Sequence, residues 1–212
     1  MTSTEVTLDD SGPDGPVLHF TRHYPHPPAR VWAALTTADE LSRWFPCRVA
    51  IDARPGGSLT LTFTGEPPET LPITEFEPPR VLAFEWGGER LRWTLTGEGE
   101  GCLLHLTNTV LDPTWAANTA AGWDRCLTDL DTTLDGRTPD GGSGPDEARI
   151  AHYRQLPPPP PPPPNPDPHP PPPTPHRRVD QGVCVTDSAG TDANPLINAA
   201  TRGQGAGRLG VG

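Results

Sequence analysis

The chain has 212 residues, a net charge of −11 and no lysine at all. Residues 1–156 carry 12 arginines against 23 aspartates and glutamates, while residues 157–212 carry four charges of each sign. So acidic a domain argues against nucleic acid and anionic membranes as partners, because both favour basic surfaces, and no apolar run approaches the length of a membrane span.

Composition divides the chain. Residues 157–175 hold 15 prolines in 19 positions, unbroken from Pro157 to Pro164. Such a run donates no backbone hydrogen bonds and settles into polyproline II. Residues 176–212 are rich in Gly, Ala, Thr, Asp and Asn, too poor in apolar surface to offset the entropy of ordering. One domain is therefore expected over 16–156, with 1–15 and 176–212 disordered. Three readings of the tail stay open: a polyproline ligand for another protein, a passive spacer, or an extension of the reading frame with no selected role. Cys47, Cys102, Cys126 and Cys184 form no CxxC pair, and "MTSTEVTLDDSGPDG" is polar and acidic, unlike a leader. The expectation is a cytoplasmic protein with reduced thiols acting as small core fillers.

In chain order, "VLHFTRHYP" (17–25) alternates, with Leu18, Phe20, Arg22 and Tyr24 on one side, and reads as a strand. Pro27-Pro28 suits the first turn of a helix, and Val31, Trp32 and Leu35 give that helix one apolar face. "TADELSRWF" restarts the helical pattern, with Thr37 and Glu40 spaced as a capping box and Pro46 as the stop. From 47 to 110 the period is two. "CRVAID", "SLTLTF", "TLPITEFE", "VLAFEW", "RLRWTLT" and "CLLHLTNTV" are short strands separated by "RPGG", "GEPPE", "PPR", "GGE" and "GEGEG", the pattern of an antiparallel meander. Pro72 suggests that its strand lies on an edge. Over 112–136, Ala116, Ala120, Trp123, Leu127, Leu130 and Leu134 make one continuous helical stripe. Asp112 and Pro113 mark its start and Gly136 its end. One long helix covers a sheet of about seven strands only if the sheet curves around it, so the expected fold is α+β with two short helices after the first strand.

This order, and the segments "YPHPPARVWAALTTADELSRWF", "ARPGGSLTLTF", "ITEFEPPRVLAFEW", "GCLLHLTNTV" and "AAGWDRCLTDLDTTLDG", resemble the START-like (SRPBCC) superfamily, the helix-grip fold. Within it the chain resembles single-domain bacterial members of the family named for the activator of the heat-shock-protein-90 ATPase. The resemblance covers roughly 17–136, and "DEARIAHYRQL" is similar to the closing stretch of such domains. It implies a cavity between the long helix and the concave sheet, and no chemistry.

That cavity sets the candidate residues. Trp86 and Trp93, on neighbouring strands, face Trp123 across it, with Phe63, Leu104 and Leu127 completing the lining. Trp44 and Phe45 lie where the fold has its mouth, as a hydrophobic gate or as ordinary core. A tightly filled core is the alternative to a hollow. Glu75 and Glu85 share the parity of Ile73 and of Val81 and Ala83, so either could point inward as a base. His105 is out of phase with Leu104 and Leu106 and is expected outside; Asn108 also falls within a strand. His19, His23 and His26 are neighbours in sequence, but no Cys/His spacing fits zinc, so neither metal nor cofactor is expected. No nucleophile–base–orienter set is visible. The expected function is binding of a small hydrophobic or amphipathic molecule. The alternatives are a hydrolase- or cyclase-like enzyme using an inward carboxylate, and a chaperone-cofactor-type module with a protein partner. Oligomeric state is left open.

Overall fold

The computed structural model describes residues 4–10, 15–140 and 146–155. The polyproline tract and the tail expected to be disordered lie outside the described residues. Eight strands form one antiparallel sheet in the order β1-β2-β8-β7-β6-β5-β4-β3. They are β1 (Glu5–Asp9), β2 (Val17–Tyr24), β3 (Arg48–Ile51), β4 (Ser58–Thr62), β5 (Glu69–Glu77), β6 (Val81–Trp86), β7 (Glu89–Glu98) and β8 (Gly101–Thr109). Two short helices, α1 (Pro28–Thr36) and α2 (Ala38–Trp44), follow β2. A 3-10 turn (Pro113–Trp115) leads into the long α3 (Ala116–Leu134), and α4 (Glu147–Tyr153) closes the domain. This is the expected helix-grip architecture, an antiparallel sheet curved around one long helix. No helix among the described residues is long and apolar enough to cross a membrane.

The extra strand is β1, inside the segment expected to be disordered. Val6 pairs with Phe20 and Leu8 with Leu18, so two apolar side chains in an acidic stretch suffice once a partner strand is present. Two apolar residues are too few to stand out as alternation in the sequence.

The inward face is built by the predicted alternation. Leu18 and Phe20 of β2, Leu59 and Leu61 of β4, Leu82 and Phe84 of β6, Leu91 and Trp93 of β7, and Leu104 and Leu106 of β8 are all buried. Against them α3 sets its whole predicted stripe, Ala116, Ala120, Trp123, Leu127, Leu130 and Leu134, every one buried. Asp112 accepts a hydrogen bond from the Thr114 amide at the start, and Gly136 takes φ +73° past the end, where a residue lacking Cβ is favoured.

Three local expectations change. The Thr37 side chain makes no cap bond at α2; Glu40, its supposed box partner, turns to Arg30 instead. Trp32 is only partly buried and packs on Phe76, ring centroids 5.5 Å apart. The strand carrying Pro72 is interior, between β4 and β6. The proline is tolerated because β4 pairs with Glu69–Pro72 and β6 with Ile73–Glu77, so Pro72 stands where the strand changes partners.

Candidate ligand-binding site

Six aromatic rings meet on the inward face, between α2, α3 and the β4–β7 half of the sheet. Trp93 lies edge-on to Trp123 at 5.4 Å between centroids and to Trp44 at 5.6 Å. Phe45 touches Trp44 at 5.6 Å, and Trp86 and Trp123 at 5.8 Å each. Phe63 stacks on Trp86 at 6.0 Å. Edge-to-face pairs at such spacings contribute about 0.5–1.5 kcal/mol each beyond the area they bury. Leu104 and Leu127 are fully buried beside α3 and the sheet. All eight residues predicted to line the interior thus lie in one core cluster, Phe63 as its partly buried member.

The rings differ in depth. Trp44 is 2% exposed and donates its indole N–H to the Ala34 carbonyl at 2.9 Å, so it sits inside the core and not at a mouth. Phe63 is the ring that reaches solvent. Trp86, just beneath it, donates its N–H to Glu69 Oε2 at 3.3 Å, and Glu69 itself is exposed.

The polar end of the cluster was missed by sequence parity. Glu75 and Glu85, either of which could have pointed inward by parity, are both exposed. The register shifts between Ile73 and Glu75, so Ile73 pairs with Phe84 but Glu75 with Ala83. This bulge moves Glu75 from the inward set to the outward one. There it receives Arg92 Nε at 3.0 Å. Arg92 also pairs with Ala83 in register, so the ion pair spans the row over a small side chain. Ala83 is therefore buried on the outer face, and Glu85, which shares its parity, is outside too.

The inward carboxylate is Glu89, at 3% exposure. Its strand alternates Glu89, Leu91, Trp93, Leu95, all buried, so the parity signal exists; it is hidden because Glu89 directly follows Gly87-Gly88 and reads as turn. Asn108 Nδ2 donates to Glu89 Oε2 at 2.9 Å, and the Leu111 amide donates to Oε1 at 3.3 Å. Asn108 Oδ1 accepts the Trp123 indole N–H at 2.7 Å, and its Nδ2 also reaches the Thr109 carbonyl at 2.6 Å. The indole is only a donor, so it fixes which way the Asn108 amide faces. Burial pushes the Glu89 carboxyl above the usual carboxylate range, with the Asn108 and Leu111 hydrogen bonds opposing. Among the described residues no cation pairs with it.

The remaining candidates lie elsewhere. His105 is on the outer face as expected, stacked on His19 at 5.4 Å; burial first, then His19 and Arg92, push its pKa down. His23 faces Glu98 at 2.9 Å and His26 faces Asp135 at 3.6 Å, so the three neighbouring histidines point to three places. Burial raises the Cys47 and Cys126 thiols to about 12 and Cys102 to about 11, which keeps them protonated and poor nucleophiles. A polar cavity of about 260 Å³ lies on the other face of α3, toward α4. Its arginines are each met by a carboxylate: Arg125 by Asp129 at 3.7 Å, Arg137 by Asp135 at 2.9 Å and Arg149 by Asp124 at 2.7 Å.

Comparison with known proteins agrees with this architecture. A family model described as "Activator of Hsp90 ATPase homolog 1-like protein" matches residues 25–135. The crystal structure of CalU16 from Micromonospora echinospora is similar with TM-score 0.54 and 25% identity, over 73% of this chain and 93% of that one. The solution structure of the protein encoded by gene BPP1335 of Bordetella parapertussis is similar with TM-score 0.51 and 29% identity, over 73% and 92%. The Aha1 dimer from Colwellia psychrerythraea shares the fold with TM-score 0.50 at 18% identity, over 56% and 95%. No curated protein matches the chain.

Proposed function

The chain belongs to the family of activator of Hsp90 ATPase homolog 1-like proteins, in the START-like superfamily, and from that premise we propose that it binds a small hydrophobic or amphipathic molecule between α3 and the concave sheet. The observation that carries the reading is the unbroken path of rings from half-exposed Phe63, through Trp86 and Phe45, to buried Trp123 and Trp93. A flat apolar guest that displaces Phe63 exchanges ring contacts for ring contacts, so entry costs little packing. The free thiols Cys47, Cys102 and Cys126 suit a reducing, cytoplasmic setting. Against the protein-binding alternative, Leu111 is the only large apolar side chain exposed among the described residues, whereas docking surfaces are extended apolar patches. One observation favours a second reading, acid–base chemistry on the guest: the inward carboxylate of Glu89.

The test is a titration of the native protein with an environment-sensitive apolar dye, far from denaturing conditions because molten states also bind such dyes. Saturable one-to-one binding with quenching of tryptophan emission is the expected result. Phe63→Ala should change association and dissociation together, as a gate does, and Trp93→Ala should act on affinity through dissociation. Absence of saturable binding by the folded domain would leave the protein-binding module as the better account.

A further inference from the structure

We propose that Glu89, oriented by Asn108, is the polar anchor of this site and that it selects guests whose apolar ring carries a protonated amine. The inference rests on the guest-binding reading of the same interior and adds the chemistry of the guest's head.

Glu89 has hydrogen-bonding capacity to spare. A carboxylate offers about four lone-pair positions, and Glu89 receives one hydrogen bond on each oxygen, both from neutral donors. A charge held in the interior by neutral donors alone is incompletely compensated. An ammonium group supplies the missing charge and N–H donors in one step, and a charge-assisted bond of this kind is roughly twice as strong as a neutral one. An anionic head would meet the carboxylate's repulsion, and a neutral hydroxyl would gain only an ordinary hydrogen bond.

Position supports the assignment. Glu89 pairs directly with Trp86 across the β6–β7 hairpin, which puts carboxylate and indole side by side on one face. Asn108 ties the same carboxylate to Trp123, whose ring contacts Phe45 and Trp93. A guest among these rings therefore has one charged group within reach on the sheet side. Glu69, the other carboxylate touching the cluster, is exposed at the Trp86 N–H and stays compensated by water. The net charge of −11 also raises the local concentration of cations over anions.

The experiment uses the full chain and three probes of one shape: 2-naphthylmethylamine, 2-naphthylmethanol and 2-naphthoate, titrated calorimetrically at pH 7. The amine is expected to bind about tenfold tighter than the alcohol, a difference of about 1.4 kcal/mol, with naphthoate weakest. In Glu89→Gln the amine should lose that advantage while the alcohol keeps its affinity within about threefold. Should Glu89→Gln not fold, the unmodified chain gives the same answer: as pH falls and Glu89 takes up its proton, the amine's lead over the alcohol should vanish, although the amine itself stays charged. Equal binding of all three probes would overturn the anchor and leave the guest site standing. Binding by none would overturn both.

Discussion

Among the described residues two charges are buried on the inward face, and they are treated oppositely. Arg22 of β2, 3% exposed, is ion-paired with Asp131 of α3, donates to Thr4 Oγ1 at 2.6 Å and lies over the Tyr24 ring at 6.0 Å. Glu89 of β7 is equally buried, but its partners are an amide side chain and a backbone N–H. The first charge is met by an opposite charge from the facing helix and holds that helix in place. The second keeps charge and acceptor capacity in hand beside a cluster of aromatic rings. A paired interior ion is thus a structural device, and an interior ion with neutral partners is available to something from outside.

Substitutions should separate the two. The largest effect is expected at their meeting point, the helix. Trp123→Ala removes a fully buried ring and strands the Asn108 carbonyl, and should cost about 3–5 kcal/mol in urea unfolding. Arg22→Ala takes the cation from the partly buried Asp131 and should cost about 1.5–3 kcal/mol. The double replacement Arg22→Met with Asp131→Leu should recover most of that loss, because an apolar pair of similar volume replaces the ion pair. Recovery by the double variant would confirm Arg22 as structural; equal losses in single and double variants would contradict it.

Glu89 should behave differently, and pH reveals the sign. Its folded pKa is raised above the unfolded value by burial. The folded state therefore holds the proton more tightly, and the stability this contributes is present at low pH and lost as pH rises through the folded pKa. The stability of the unmodified protein minus that of Glu89→Gln should fall as pH rises from the ordinary carboxylate range through the raised folded pKa, as read from paired denaturant midpoints. A difference that stays flat would mean that Glu89 is not desolvated. The smallest effect belongs to the outer carboxylate. Glu75→Gln breaks an ion pair whose partners are 39% and 44% exposed, and should cost less than about 1 kcal/mol.

Much of this was legible in the sequence, and the parts that were not have definite causes. The α3 stripe was readable because six apolar positions repeat over 19 residues of helix, long enough for the period to dominate any local exception. That the eight apolar candidates share one core cluster was readable for the same reason, since each belongs to a longer apolar pattern. Parity failed for Glu75 because a bulge inserts one residue into β5, which sequence does not announce. It failed for Glu85 because buried Ala83, its guide, is covered by an ion pair on the outer face and not by the core. Glu89 was hidden by its glycines: Gly87 and Gly88 both take positive φ, the turn is that tight, and the strand begins at the very next residue.

The central claim is that the aromatic interior near Glu89 admits a guest. Its most direct test is the indole N–H region of a two-dimensional NMR spectrum, where the chain's six tryptophans each give one assignable signal. On titration with 2-naphthylmethylamine, the Trp86, Trp93 and Trp123 signals should shift together and saturably, while Trp32, on the α1–β5 side, and Trp115, in the turn before α3, stay in place. Unmoved signals for all six, or equal shifts at Trp32 and Trp115, would contradict the account.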